Sequence, residues 1–267
     1  MSVSAANEAL AIGGGLFLLR TGGDLVKASR LLTGQALLQS DAEWIIRTEV
    51  LAESLSGLVA THAQPVTGRG LDVGCQDGHL TDYLNAHTDF SWEGIDPALT
   101  GTSQSPHGAT LYQAAADSIP YPDRAFDCVL FANVFEHVSP QGRDASLTEM
   151  RRVLRPGGTV IGQLPNPYFP IESHSRLPFM GWLPPELQKK YWRYSPASSA
   201  HKFDFYSASL HHLRATAKRA DLRVVETRNF NYPPEALPRA VRNSASLLKW
   251  PMKVFPWSWQ FVLVRPE

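Results

Sequence analysis

Gly70-Leu71-Asp72-Val73-Gly74-Cys75-Gln76-Asp77-Gly78-His79-Leu80 is the stretch whose reading decides the fold. It reads as a short apolar strand, a glycine turn and the start of a helix. Gly74 and Gly78 permit backbone angles and close approaches that a β-carbon blocks. The turn leads into a helix N-terminus, whose free N–H groups favour anionic or polar ligand groups. Yet two acids, Asp72 and Asp77, sit in the same turn. They repel a dinucleotide pyrophosphate and attract a ligand carrying an ammonium or sulfonium.

Outward from this corner, strand and helix patterns alternate. Arg69–Val73, Ser91–Asp96, Thr110–Gln113, Ala125–Phe131 and Thr159–Leu164 read as strands. Gly78–Ala86 and Arg143–Leu154 read as helices, the second stopped by a turn at Arg155-Pro156-Gly157-Gly158. Asp127-Cys128-Val129-Leu130-Phe131 is almost wholly apolar, as a strand covered on both faces should be. Ser207–Ala220 reads as a further helix, and Leu222–Arg228 and Gln260–Val264 as closing strands. This order predicts an α/β fold, a doubly wound and mainly parallel sheet with its ligand at the carboxyl ends of the strands. Before the core, residues 1–65 read as a helical cap, with an N-cap signal at Ser40-Asp41-Ala42-Glu43. The core begins at 66 and runs to 164. Residues 165–206, rich in proline and aromatics, read as an insertion or lid over the acceptor site. Residues 207–267 return to the sheet.

Composition excludes several classes. Twenty-five basic and 25 acidic residues give a net charge of +0, so no basic field marks nucleic acid as an obligate partner. The two cysteines, Cys75 and Cys128, have no metal-like spacing, and a reduced, cytoplasmic protein is expected. The apolar run Leu10 to Leu19 is broken by Gly13, Gly14 and Gly15 and is too short to span a bilayer. No transmembrane segment is expected. The run reads as packing on the domain, with a membrane-surface contact as the alternative.

Five motifs, taken in order, carry a resemblance. They are Leu71 to Gly78, Gly94-Ile95-Asp96-Pro97, Asp117-Ser118-Ile119-Pro120, Phe126-Asp127-Cys128-Val129 and Leu154-Arg155-Pro156-Gly157-Gly158. Together they resemble the class I S-adenosylmethionine-dependent methyltransferases, type 11 in particular. The resemblance implies a seven-stranded Rossmann-like sheet with N-terminal helices and an insertion after strand five. It implies S-adenosyl-L-methionine as cofactor, held by Asp72, Gly74, Cys75 and Gly78 at the methionine end. Asp96, with Pro97, would meet the ribose hydroxyls, and a carboxylate suits that pair because both its oxygens accept. Asp117 and Ser118 would meet the adenine, and Asn133 would stand where cofactor and acceptor meet. A nicotinamide dehydrogenase is the competing reading, since Asp96 lies about 20 residues past the turn. The turn is G-x-x-x-G rather than G-x-G-x-x-G, and it is acidic.

The acceptor has to be read from the residues after the fourth strand. An alcohol is a poor nucleophile and needs a base or a metal ion to activate it. Glu136-His137 follows that strand directly. Three readings stand: a helix-cap arrangement, His137 as general base, or a metal site. Metal-assisted O-methyltransferases of small-RNA 3′ ends and of ubiquinone biosynthesis carry Glu-x-x-Glu-His here, and the former add a later histidine. This chain is similar in Glu136-His137 and His201-Lys202-Phe203-Asp204-Phe205, but has Asn133 in place of the first glutamate. The resemblance implies Glu136, His137 and His201 as ligands of Mg²⁺ or another divalent ion. Within the insertion, Glu172-Ser173-His174-Ser175-Arg176 forms a second polar cluster, with His174 a further catalytic candidate. The stretch Pro165 to Pro184 resembles methyltransferases encoded with bacterial glycan enzymes. Tyr168 and Trp182 would stack on sugar faces while Glu172, His174 and Arg176 bind hydroxyls. The expected activity is O-methylation of a small-molecule or oligosaccharide acceptor, a glycan hydroxyl first and a lipid, quinone or natural-product phenol as the alternative. RNA 2′-hydroxyl methylation and a non-catalytic cofactor-binding subunit are the remaining readings.

Overall fold

The structure, a computed structural model, describes residues 41–195, 198, 203, 205–236 and 255–267. Its frame is an eight-stranded sheet in the order β3-β4-β2-β1-β5-β6-β8-β7. The strands are β1 (Gly68–Val73), β2 (Phe90–Asp96), β3 (Thr102–Gln104), β4 (Thr110–Gln113), β5 (Phe126–Ala132), β6 (Leu154–Pro165), β7 (Arg223–Phe230) and β8 (Ser258–Val264). Six run one way. β3 and β8 run against them, β3 beside β4 and β8 between β6 and β7.

Two helices lie against each face. α1 (Asp41–His62) and α2 (His79–His87) cover one. α3 (Arg143–Val153) and α5 (Leu210–Arg219) cover the other, and α4 (Pro185–Trp192) lies in the insertion. Side-chain alternation along the strands sorts the two cores. Cys128 and Leu130 of β5 and Val262 of β8 meet Leu55, Leu58, Val59 and Leu84. Val129, Phe131, Phe261 and Leu263 meet Leu147, Met150, Leu213 and Ala217 from the opposite side. The near-continuous apolar run of β5 is thus explained by helices on both faces.

Three expectations change. The sheet has eight strands rather than seven, because the segment after Asp96 forms a short antiparallel hairpin of β3 on β4. Arg155-Pro156-Gly157-Gly158 is not a turn between helix and strand. β6 begins at Leu154 and runs through the glycines, with a bulge opposite Phe126–Cys128. Gly157 N–H donates to Arg265 O (3.0 Å) and Arg265 N–H to Gly158 O (2.9 Å), so the double glycine stays paired. Gly157 takes φ +75°, which only a residue without a β-carbon adopts readily. α5 starts at Leu210 rather than Ser207, because Ser209 caps it with His212 in a reciprocal capping box. The apolar run at 10–19 and the N-cap residue Ser40 lie outside the described residues. No helix among the described residues is long and apolar enough to cross a membrane.

Candidate active site

The carboxyl ends of β1, β2, β4 and β5 share one edge, and the strand order reverses between β1 and β5. That is where an open α/β sheet leaves a crevice. The turn after β1 is fixed by Gly74 N–H and Cys75 N–H, both donating to Ile95 O (2.7 and 3.1 Å). Gly74 and Gly78 take φ +84° and +85°. A β-carbon on Gly74 would collide with Val134, and one on Gly78 with Ser105 and Leu111. The turn is a cradle whose floor cannot be filled.

Acids line this cradle. Asp72 is buried and accepts from Thr81 Oγ1 (2.8 Å). Burial, partly offset by Thr81 and reinforced by the charge of Asp96, pushes its carboxyl up to about 7. Asp96 ends β2, its Oδ2 accepting from Gln76 N–H (3.0 Å) and Oδ1 from Ala98 N–H (2.8 Å). Each oxygen keeps acceptor capacity, and the rigid backbone donors fix its direction. Cys75 is buried and its thiol is raised by burial and by Asp72, so it is packing rather than a nucleophile. Asp77 is exposed and pairs with His79 (3.4 Å). Asp117 and Ser118 are exposed on the loop after β4.

Two residues not singled out in the sequence hold that loop. Glu149 Oε2 accepts from Ile119 N–H (3.0 Å), and Arg152 donates to the Ile119 and Tyr121 carbonyls (2.9 and 2.8 Å). Asp127 is likewise structural: it accepts from Arg69 N–H (2.9 Å) and Arg155 Nη1 (2.7 Å), locking β1, β5 and β6.

Beyond β5 the chain turns sharply. Asn133 has φ +57° and its side-chain oxygen accepts from Gln163 Nε2 (3.1 Å). Glu136 and His137 follow in a turn closed by His137 N–H to Val134 O (2.8 Å), not in a helix. The Glu136 carbonyl accepts from Tyr206 N–H (2.7 Å). Arg143, buried at the first turn of α3, donates to Val138 O (3.2 Å) and Tyr206 O (3.3 Å) and stacks over Phe135 (4.7 Å). Burial lowers its guanidinium and Glu136 partly restores it. A cation in a first helical turn opposes the macrodipole, and that misplacement was the signal available in the sequence.

His174 arrives from the insertion. Residues 170–179 fold back on themselves, with Phe179 N–H donating to Pro170 O (2.6 Å) and Ile171 bridging Pro178. At the tip, Glu172 accepts from the backbone N–H of His174 (2.9 Å) and Ser175 (2.6 Å) and from His174 Nδ1 (2.7 Å). Burial alone would raise Glu172, but the charge and hydrogen bonds of His174 and its neighbours bring it to about 2. Burial alone would depress His174, but Glu172, with Glu136 further off, raises it above the usual imidazole range. With Nδ1 on Glu172, Nε2 is left facing Glu136 Oε1 at 3.8 Å, too far for a hydrogen bond. The His137 ring stands edge-on to His174 at 4.9 Å, and Phe205 stacks on its other side at 4.7 Å.

Glu136, His137 and His174 therefore offer ligand atoms within 4.8 Å of one another. Glu136 is buried, both its oxygens lack a hydrogen-bond partner among the described residues, and burial pushes it to about 7 despite His174. His201 lies outside the described residues. Of the expected acceptor residues, Glu172 and His174 join this cluster. Arg176 is half-buried, its guanidinium lowered to about 10 by desolvation and by Arg47. Tyr168 and Trp182 are half exposed, Trp182 Nε1 donating to Tyr168 O (2.8 Å).

The chain matches the profile of a methyltransferase domain family over residues 44–227. It belongs to that family. The ubiquinone/menaquinone biosynthesis C-methyltransferase of Hahella chejuensis is 38% identical over 87 residues, 30% of this chain and 34% of that one. The fatty-acid O-methyltransferase of Mycolicibacterium smegmatis is 32% identical over 114 residues, 40% and 41% of the two chains. The match thus spans well under half of either relative. A 1,6-didemethyltoxoflavin N1-methyltransferase from Burkholderia thailandensis, solved with S-adenosylhomocysteine, has the same fold at TM-score 0.54 and 13% identity, over 95% of this chain and 94% of that one. The glycine cradle with Asp72 and Asp96 fits S-adenosyl-L-methionine as methyl donor.

Proposed function

We propose that the protein methylates a hydroxyl oxygen of a lipophilic small molecule, with a divalent cation held by Glu136, His137 and His174. The observation that carries this is the buried Glu136 carboxylate, unsatisfied among the described residues and facing two imidazoles. An uncompensated buried carboxylate is costly, and a cation between these three groups removes the cost. Glu172 behind His174 is the arrangement that fixes a metal-binding imidazole by its other nitrogen. Asn133, tied to Gln163, stands outside the set. The set is mixed, one oxygen and two nitrogen donors, which suits Mn²⁺ or Zn²⁺ as well as Mg²⁺. When bound, the cation lowers the pKa of an acceptor hydroxyl.

The protein's own residues do the rest. Asp72 and Asp96 orient the donor, whose sulfonium supplies an electrophilic methyl group. The turn at 133–137 adjoins the glycine cradle through Val134 and Gly74, so donor and acceptor meet there. Beside the polar groups at His174 stands an apolar side: Phe205 on its ring, with Leu177, Met180 and Trp192 behind. An apolar wall on that side suits a lipophilic acceptor better than the glycan expected from the insertion. The quinone and fatty-acid relatives support the same choice. A second reading, His174 as a general base oriented by Glu172, rests on the same 2.7 Å bond.

Calorimetric titration of the chelator-treated protein with Mn²⁺ separates them. Expected are one site, at least about tenfold weakening in His137→Ala, His174→Ala and Glu136→Gln, and methyl transfer that chelator abolishes and metal restores. No Mn²⁺ binding, with transfer indifferent to chelator but lost in His174→Ala, would replace the metal by the base.

A further inference from the structure

Between residues 179 and 194 the chain leaves large apolar side chains in solvent. Phe179 is 52% exposed, Trp182 56%, Leu187 45% and Tyr194 59%. They are not loose. Phe179 sits in the left-handed region at φ +54°, a conformation that strains an aromatic residue. Its ring meets Trp182 edge-on at 5.4 Å, and the Trp182 indole N–H is tied to Tyr168 O. The backbone is thus held in an unfavourable conformation with a phenyl ring facing water.

α4 continues the pattern. Gln188 and Trp192 point inward, Gln188 Nε2 donating to Leu183 O (2.8 Å). Leu187 on α4 and Tyr194 in the turn just past its end are both exposed. Lys189, Lys190 and Arg193 occupy the exposed arc beside them, with Glu186 the one acid in the segment. The chain as a whole is neutral, so this is a local concentration of positive charge.

Aromatic rings beside lysines and arginines are the makeup of a surface that rests in a lipid headgroup layer. The rings sit at headgroup depth, and the long cationic stems lay their methylenes on apolar ground with their charges at the phosphates. Three cations on one arc select an anionic leaflet.

We infer that Phe179, Trp182, Leu187 and Tyr194, with the flanking cations Lys189, Lys190 and Arg193, form a docking surface for an anionic bilayer. This surface is built into the segments that hold His174. Phe179 closes the hairpin that carries it, and Trp192 on the inner side of α4 packs on Phe205 (5.4 Å), which stacks on His174. Docking there would bring the cluster to the membrane from which a lipophilic acceptor comes. The docking does not depend on that acceptor reading, and its test uses no methyl transfer.

The test is co-sedimentation of the full chain with vesicles of phosphatidylcholine alone and of phosphatidylcholine mixed with phosphatidylglycerol. Binding is expected to the mixed vesicles and to weaken with salt. Phe179→Ser with Trp182→Ser should reduce it about tenfold. Lys189→Gln, Lys190→Gln and Arg193→Gln together should reduce it about a hundredfold, from roughly fivefold per cation. Unchanged binding of S-adenosylhomocysteine certifies that each variant is folded. Absence of wild-type binding to either vesicle, or equal binding by wild type and variants, overturns the inference. So does a concentration-dependent dimer in light scattering that the same substitutions abolish, since a second copy would then be the occupant.

Discussion

A buried carboxylate that must attract a cation works against its own burial, and Asp72 shows both sides of that conflict. Unfolded, it titrates near 3.8; in the native structure, near 7. Between those values the native state holds the extra proton, so stability of the ligand-free protein falls as pH rises through that window. At ~1.4 kcal/mol per pH unit the effect is bounded by about 4 kcal/mol. Asp72→Asn keeps a partner for Thr81 and should remove the slope, which denaturant melts at about pH 5 and about pH 8 would reveal. Cofactor binding should show the opposite trend. S-adenosylhomocysteine carries an ammonium, and its affinity should rise through about pH 7 in the wild type and stay flat in Asp72→Asn, by calorimetry. At His174 the relevant partner is Glu172. Glu172→Gln retains an acceptor but loses the charge, and on the proposed reading should weaken Mn²⁺ binding by about 10–100-fold while leaving S-adenosylhomocysteine affinity intact.

At the scale of elements, the turns around the sheet edge determine what the edge can hold. Gly78→Ala forces a β-carbon into Ser105 and Leu111 at φ +85°. The expected loss is about 1–3 kcal/mol of stability, with weaker S-adenosylhomocysteine binding, read by thermal melts with and without ligand. Arg143 joins the start of α3 to the Glu136-His137 turn and to Tyr206. Arg143→Met keeps the packing on Phe135 but leaves two carbonyls without their donor, costing about 1–3 kcal/mol and loosening the cluster. The glycine corner and the alternating strands were legible in the sequence because those signals are local. Residues 70–80 specify their own turn, and β5 its own burial. The cluster was half legible. Glu136 and His137 are adjacent and follow a recognisable strand. His174 lies 37 positions on and is delivered by a hairpin whose closure depends on Phe179 and Pro170, a contact that no periodicity encodes. The double glycine misled because Gly-Gly after Pro is a turn signal locally. Only the pairing of Arg265 with both glycines makes it strand.

For the whole molecule, stability depends on two helical layers gripping one sheet. Leu55 of α1 is fully buried against β5, β6 and β8 residues, and Leu55→Ala should cost about 2–5 kcal/mol in denaturant unfolding without changing the cofactor edge. On the β5 side of the sheet, the order of strands in space departs from their order in the chain where β8 lies between β6 and β7. During synthesis, β7 is made some 30 residues before the strand it must pair with. Until residues 258–264 leave the ribosome, β6 offers an open edge and β7 has no partner in the sheet. The nascent chain can thus assemble β1 to β6, with the complete cofactor corner, before the sheet closes. Arrested chains should bind S-adenosylhomocysteine earlier than they become resistant to protease at β7. The growing polypeptide would possess its ligand before its final architecture, and the ligand can hold the half-built sheet together while the last strand arrives.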